Sequence, residues 1–191
     1  MPNPTEERKE QEIEQDPQFH KDYKPLRAQI DGRIAPDTLI QQVTNDLTIG
    51  LKTKNSQYNL IDNQMSQLNN ILLFLRNIFE LRCVEVIYGG ILMNKIWNKN
   101  KNLITMQNVP QLVVGSLLIA HKYTGDYTYK NKTWAQALRI DIKTLNQWEI
   151  DVLEAVNYQI FVEGEQYDQI ENIFRDRCDQ QVAMESGCVT N

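Results

Sequence analysis

Residues 141–158 read DIKTLNQWEIDVLEAVNY, and their periodicity decides what kind of fold this chain builds. At 100° per residue, Leu145, Trp148, Val152, Leu153 and Val156 gather on one face, the pattern of an amphipathic helix. Glu149 interrupts that stripe, one turn after Leu145 and one turn before Leu153. A helix that buries this face therefore carries a carboxylate towards the core or a partner, and a buried charge is costly unless it is paired. A candidate counter-charge stands upstream in LVVGSLLIAHKY, residues 112–123, where Lys122 emerges at the end of a run that is apolar nearly all round. Such a helix belongs at the centre of a bundle, because every side of it must meet other helices. Asn108 and Pro110 mark its start, an N-cap residue followed by a proline whose missing N–H is no loss in the first turn. Taken singly, Lys122 is explained as a cation favoured by the C-terminal end of a helix dipole. Glu149 is likewise explained as a charge snorkelling to water from the rim of its stripe.

The same period runs outward in both directions. From Pro36, PDTLIQQVTNDLTIGLK places Leu39, Ile40, Val43, Leu47 and Leu51 at helical spacing, which predicts a helix over 36–53. KNSQYNLIDN, residues 54–63, reads as a polar connection. MSQLNNILLFLRNIF from Met65, the stretch from Cys83 to Asn98, and a short segment from Thr133 to Leu138 supply further helices. NKNKN, residues 98–102, is a solvated loop. EQYDQIENIFRDRC adds a last amphipathic helix over 164–178, through Tyr167, Ile170, Ile173 and Phe174. No strand pattern and no internal repeat appears. Residues 1–32 are rich in Glu, Gln, Asp and Pro, cannot repay ordering entropy, and are predicted to be a disordered tail. Residues 33–180 are predicted to form the single domain, with 181–191 as a C-terminal tail.

Between the central helix and the end of the Glu149 helix, residues 121–162 read HKYTGDYTYKNKTWAQALRIDIKTLNQWEIDVLEAVNYQIFV. In order these supply His121, Lys122 and Tyr123; Asp126, Tyr127 and Tyr129; Asn131, Trp134 and Ala135; Leu145, Asn146 and Glu149; and Asn157, Tyr158, Phe161 and Val162. The succession resembles the cyclin box, and within it the Pho80-like cyclins. In that class an apolar helix ends in Ser-Lys-Phe, an acidic and tyrosine-rich loop follows, an Asn precedes a Trp-Ala pair, and the next helix reads Leu-Asn-x-x-Glu. The resemblance runs without a gap from Val109 to Val162 and continues more weakly back to about Pro36.

The resemblance implies an all-α fold: a single five-helix cyclin box, about 64–162, with one extra helix before and one after. It implies a non-catalytic regulatory subunit that binds and activates a cyclin-dependent-type serine/threonine protein kinase as a heterodimer. The kinase-binding residues carried over are Lys122, Glu149, Asp126 and Tyr123. Lys122 and Glu149 would meet at the kinase-facing surface, the lysine donating to backbone carbonyls around the kinase's mobile helix. Asp126 would meet an arginine of the kinase activation segment, or serve only as a turn residue beside Gly125. The alternative is a cyclin-fold adaptor in a complex without a kinase. Three departures stand out. His121 replaces a small residue, Gly125 replaces the first of two acidic residues, and Leu138-Arg139 replace a pair of glycines, so a different turn is expected there. The arginine and apolar substrate-docking motif of animal cell-cycle cyclins has no clear counterpart in MSQLNNILLFLRNI.

Composition narrows the function classes. With 20 basic against 25 acidic residues the net charge is −5, which gives no electrostatic drive towards nucleic acid. MPNPTEERKEQEIEQD is acidic and polar, the opposite of a signal or transit peptide, and no apolar run approaches the ~20 residues of a membrane span. The chain is therefore expected inside the cell, in nucleus or cytoplasm, without membrane contact. Cys83, Cys178 and Cys188 are too scattered for a disulfide framework or a zinc site, and reduced thiols are expected. His20 and His121 lack the accompanying ligands of a metal site; His121 is expected as a helix residue near an interface. Tyr123, Tyr127 and Tyr129 fit protein recognition as well as base stacking. Asn131-Lys132-Thr133 reads better as a helix start than as a glycosylation site, and Cys188 to Asn191 suits prenylation poorly. No phosphate-cradling glycine loop, Ser/His/Asp order or pair of catalytic carboxylates is visible, so neither an enzyme nor a cofactor is expected.

Overall fold

Apolar side chains at helical spacing close into seven α-helices in the computed structural model, which describes residues 33–53 and 58–185. In chain order these are α1 (Asp37–Lys52), α2 (Tyr58–Phe79), α3 (Cys83–Lys99), α4 (Val109–Thr124), α5 (Asn131–Leu138), α6 (Ile142–Ala155) and α7 (Gly164–Glu185). A short 3-10 turn, Lys101–Leu103, follows α3. Among the described residues the fold is all-α: five helices, α2 to α6, with one before and one after. Among the described residues the one strand-like pairing is an isolated bridge between Ile34 and Arg82. The expected tail over 1–32, His20 and the Cys188 to Asn191 tetrapeptide lie outside the described residues.

α4 is the central helix. Every residue from Leu112 through His121 is buried, so the run that is apolar nearly all round does meet helices on all sides, chiefly α3 and α6. Leu118 is wholly enclosed. Burying a side chain of that size is worth about 1.5–3 kcal/mol. Gly115 is what lets α6 come close: a Cβ there would lie 2.7 Å from the Trp148 carbonyl oxygen and 2.9 Å from a Val152 methyl. α3 is the second near-continuously buried element, with Val84 through Gly89 and Ile91 through Met93 enclosed.

Two boundaries and one turn differ from the sequence reading. The connection expected over 54–63 is shorter, because α2 begins at Tyr58. Ile61 is buried one turn before Met65 and extends the stripe of Leu68, Leu72, Leu75 and Phe79, although its polar neighbours hide this in the sequence. α7 runs on to Glu185, so residues 181–185 are helical rather than tail. The turn after α5 is of the kind glycines would make, since Arg139 itself adopts φ 54° and ψ 40° in the left-handed region.

The far end of α6 is closed by α3. Asn157 and Tyr158 both have positive φ, 54° and 59°, and expose the last carbonyls of the helix. Lys99 Nζ donates to the Ala155 carbonyl at 2.9 Å, and Lys95 Nζ to those of Gln159 at 3.1 Å and Phe161 at 2.5 Å. Burial lowers the Lys95 pKa. The Tyr88 hydroxyl donates to the Ile160 carbonyl at 2.7 Å.

Candidate functional site

The anomaly in the α6 stripe finds its partner. Lys122, in the last turn of α4, places Nζ 2.6 Å from Glu149 Oε1. The second carboxylate oxygen accepts from Asn131 Nδ2 at 2.7 Å, and the same amide donates to Asn146 Oδ1 at 2.8 Å. Three helices thus meet in one polar cluster: α4 gives the ammonium, α5 the amide, α6 the carboxylate. The cluster lies at a rim, not in the core, with the Lys122 side chain 36% and the Glu149 side chain 18% exposed. Glu149 is therefore satisfied within the chain, and its position on the stripe does not leave a charge uncompensated. A pair this exposed contributes about 0.2–1 kcal/mol to folding.

The remaining carried-over residues surround this pair. Tyr123 and Asp126 are exposed, and Tyr127 is 94% exposed. The Tyr123 ring rests on Tyr88, with centroids 5.3 Å apart. Tyr129 is anchored differently, tilted against Phe79 at 5.1 Å. Phe79 in turn stacks at 4.4 Å on the fully buried Trp134. The loop between α4 and α5 therefore has an aromatic floor and presents a carboxylate and tyrosines beside Lys122. Among the described residues no cluster of His, Cys, Asp and Glu fits a metal ion, and no helix is long and apolar enough to cross a membrane.

The family model for Cyclin matches residues 53–160, more than half of the chain. The chain belongs to the cyclin family. No curated protein and no solved structure matches it significantly. Cyclins are in general regulatory and non-catalytic, and a cyclin-type regulatory role follows for this chain.

Two features of this cyclin's site escaped the sequence reading. α5 does start at Asn131, but the N-cap is Lys130, and the Asn131 side chain turns to Glu149, a role its place at the helix start does not reveal. His121 was placed near an interface; it is 3% exposed and bonded inside the protein. Its Nδ1 lies 3.0 Å from Glu85 Oε1, and its Nε2 accepts the Tyr129 backbone N–H at 3.1 Å. Glu85 also accepts from the Arg82 N–H at 2.5 Å and from Arg82 Nη2 at 3.3 Å. Burial alone would raise the Glu85 pKa, but these donors outweigh it and hold the carboxyl below the usual 4.5.

Proposed function

We propose that this cyclin is the regulatory subunit of a heterodimer with a cyclin-dependent-type serine/threonine protein kinase, which it binds and activates inside the cell, and that it is of the Pho80-like class. The observation that carries this reading is Lys122: a half-exposed ammonium, pre-oriented by Glu149 at 2.6 Å, on a surface that also offers Tyr123 and Asp126. An ammonium has three donors. Glu149 takes one, and the others suit backbone carbonyls at the end of a partner's helix. Docking there holds the kinase's mobile helix inward, and that helix carries the glutamate that pairs with the ATP-positioning lysine. The cyclin shifts a population and performs no chemistry. ATP, magnesium and catalysis belong to the kinase.

The test is affinity purification of the wild type, Lys122→Ala and Glu149→Ala, with the captured proteins identified and the helical content of each free variant measured. Truncating one partner of a charge pair that becomes buried in an interface costs about 2–5 kcal/mol, so kinase capture should fall by about 30-fold or more. The free variants should keep their circular dichroism. Equal capture of kinase by variant and wild type refutes the reading. A stoichiometric complex without a kinase would make the chain a cyclin-fold adaptor.

A further inference from the structure

We propose that His121 is a positioning residue: together with Glu85 it pins the loop Gly125–Lys130 in a single conformation beside Lys122. Its importance for kinase binding rests on the docking role proposed above; the pinning itself does not. The partners fix the state of the ring. A carboxylate only accepts and a backbone N–H only donates, so Nδ1 carries the proton given to Glu85, and Nε2 offers its lone pair to Tyr129.

The loop is anchored at both ends, and His121 takes part in each, by its backbone carbonyl at one and its ring at the other. At the near end the Gly125 N–H donates to the His121 carbonyl at 3.1 Å, and a Cβ on Gly125 would lie 2.7 Å from that oxygen, so a glycine is required there. Arg82, already bonded to Glu85, also reaches the Thr124 carbonyl at 3.2 Å. At the far end the ring accepts the Tyr129 N–H and stacks on the Tyr129 ring, centroids 5.9 Å apart and planes 12° apart. Asp126, Tyr127 and Thr128 lie between these two anchors and are exposed. A buried hydrogen bond from His121 to Glu85 is a poor choice for stability alone, since replacing both partners by apolar groups of the same shape can be nearly neutral or stabilising.

Two variants separate loop positioning from simple hydrogen bonding to Glu85. In His121→Asn the shorter amide keeps a donor near the Nδ1 position, for Glu85, and gives up the acceptor for Tyr129. In His121→Gln the longer amide brings its carbonyl near the Nε2 position, keeping Tyr129 and giving up Glu85. In the free cyclin, hydrogen exchange at the Tyr129 amide should be about tenfold faster in His121→Asn and within about threefold of wild type in His121→Gln. Affinity for the kinase captured by the wild type should follow the same order, about tenfold weaker for His121→Asn. The melting temperatures should run the other way, His121→Gln lower because Glu85 has lost a donor. If affinity and exchange follow melting temperature instead, or the Tyr129 amide is indifferent to His121→Asn, His121 only supplies a hydrogen bond to Glu85 and the proposal is overturned. If the wild type captures no kinase while the exchange order holds, the docking reading fails and the pinning of the loop stands. A measurement without variants guards against misfolding: the ring ¹⁵N shifts of wild-type His121 should place the proton on Nδ1, and a proton on Nε2 overturns the proposal.

Discussion

Replacing Gly115 and Gly90 by alanine, one at a time, should move stability in opposite directions. Any glycine in a helix interior is worth about 1 kcal/mol less than alanine, so in open surroundings both changes would stabilise. Gly90 meets that condition: its Cβ would find only Phe174 Cζ at 3.8 Å and a Val43 methyl at 3.9 Å, ordinary contact distances. Gly115 does not, because its Cβ would lie 2.7 Å from the Trp148 carbonyl oxygen and 2.9 Å from Val152 Cγ2. That oxygen is backbone and cannot rotate away. A carbon and a carbonyl oxygen settle at about 3.3 Å or more, so α6 must move off α4 by roughly half an ångström. Overpacking of this kind costs about 1–3 kcal/mol. Set against the helix gain, Gly115→Ala should destabilise by about 1 kcal/mol, or about 2–4 °C in melting temperature, while Gly90→Ala should raise it by a similar amount. The same displacement draws Glu149 away from Lys122, so Gly115→Ala should also weaken kinase capture and Gly90→Ala should not. Urea and thermal denaturation of the two variants check the signs. A Gly115→Ala protein that melts at or above wild type would refute the close approach of α4 and α6 on which the site geometry depends.

Leu118→Asp should abolish cooperative folding, since an unpaired carboxylate at a position with 0% exposure has no route to water; a melt near the wild-type midpoint would show the core is elsewhere. Tyr88→Phe should cost about 0.5–1.5 kcal/mol in urea denaturation with an unchanged m value, because the half-buried Ile160 carbonyl loses the hydroxyl that donates to it. Glu85→Gln should be less stable than wild type at neutral pH. Because the folded carboxyl is held below 4.5, the ionised form's contribution is complete above 4.5 and is lost as pH falls through the folded value, so the gap between the two proteins should close on acidification. A gap that widened below pH 4.5 would reverse the sign assigned to Glu85. Asp126→Asn should lower kinase activity at saturating cyclin more than it lowers affinity, as the amide keeps the turn and loses the charge; unchanged activity would reduce Asp126 to a turn former.

Periodicity made most of this architecture legible because it reports which face of a helix is buried. It places Leu145, Val152 and Val156 correctly, and it marks α4 as central from its lack of any polar side. It does not report which residue waits across the interface. Lys122 and Glu149 could be paired in the sequence only because one is the polar exception on a stripe and the resemblance aligned the other. Glu85 is an exception of the same kind, enclosed between Val84 and Val86 on a helix whose other buried residues are apolar. Asking where its charge goes would have pointed to a buried donor, although His121, 36 residues away, could not have been singled out by spacing. Asn131 was hidden for a different reason. A residue at a helix start has a local role that explains it fully, and its bond to Glu149 across 18 residues is visible only in three dimensions.

The two polar residues that close α4 show how the fold converts burial into a defined surface. Consecutive residues on a helix point about 100° apart, so His121 and Lys122 cannot face the same neighbour. His121 turns inward to Glu85 of α3, and Lys122 turns to the rim and meets Glu149 of α6. The last turn of the most buried helix is thus tied to carboxylates from two other helices. It is free to shift towards neither. The loop that leaves this turn starts from a fixed point and is caught again at Tyr129 by the same histidine, which is why a segment with so much exposed side chain can hold one shape beside Lys122.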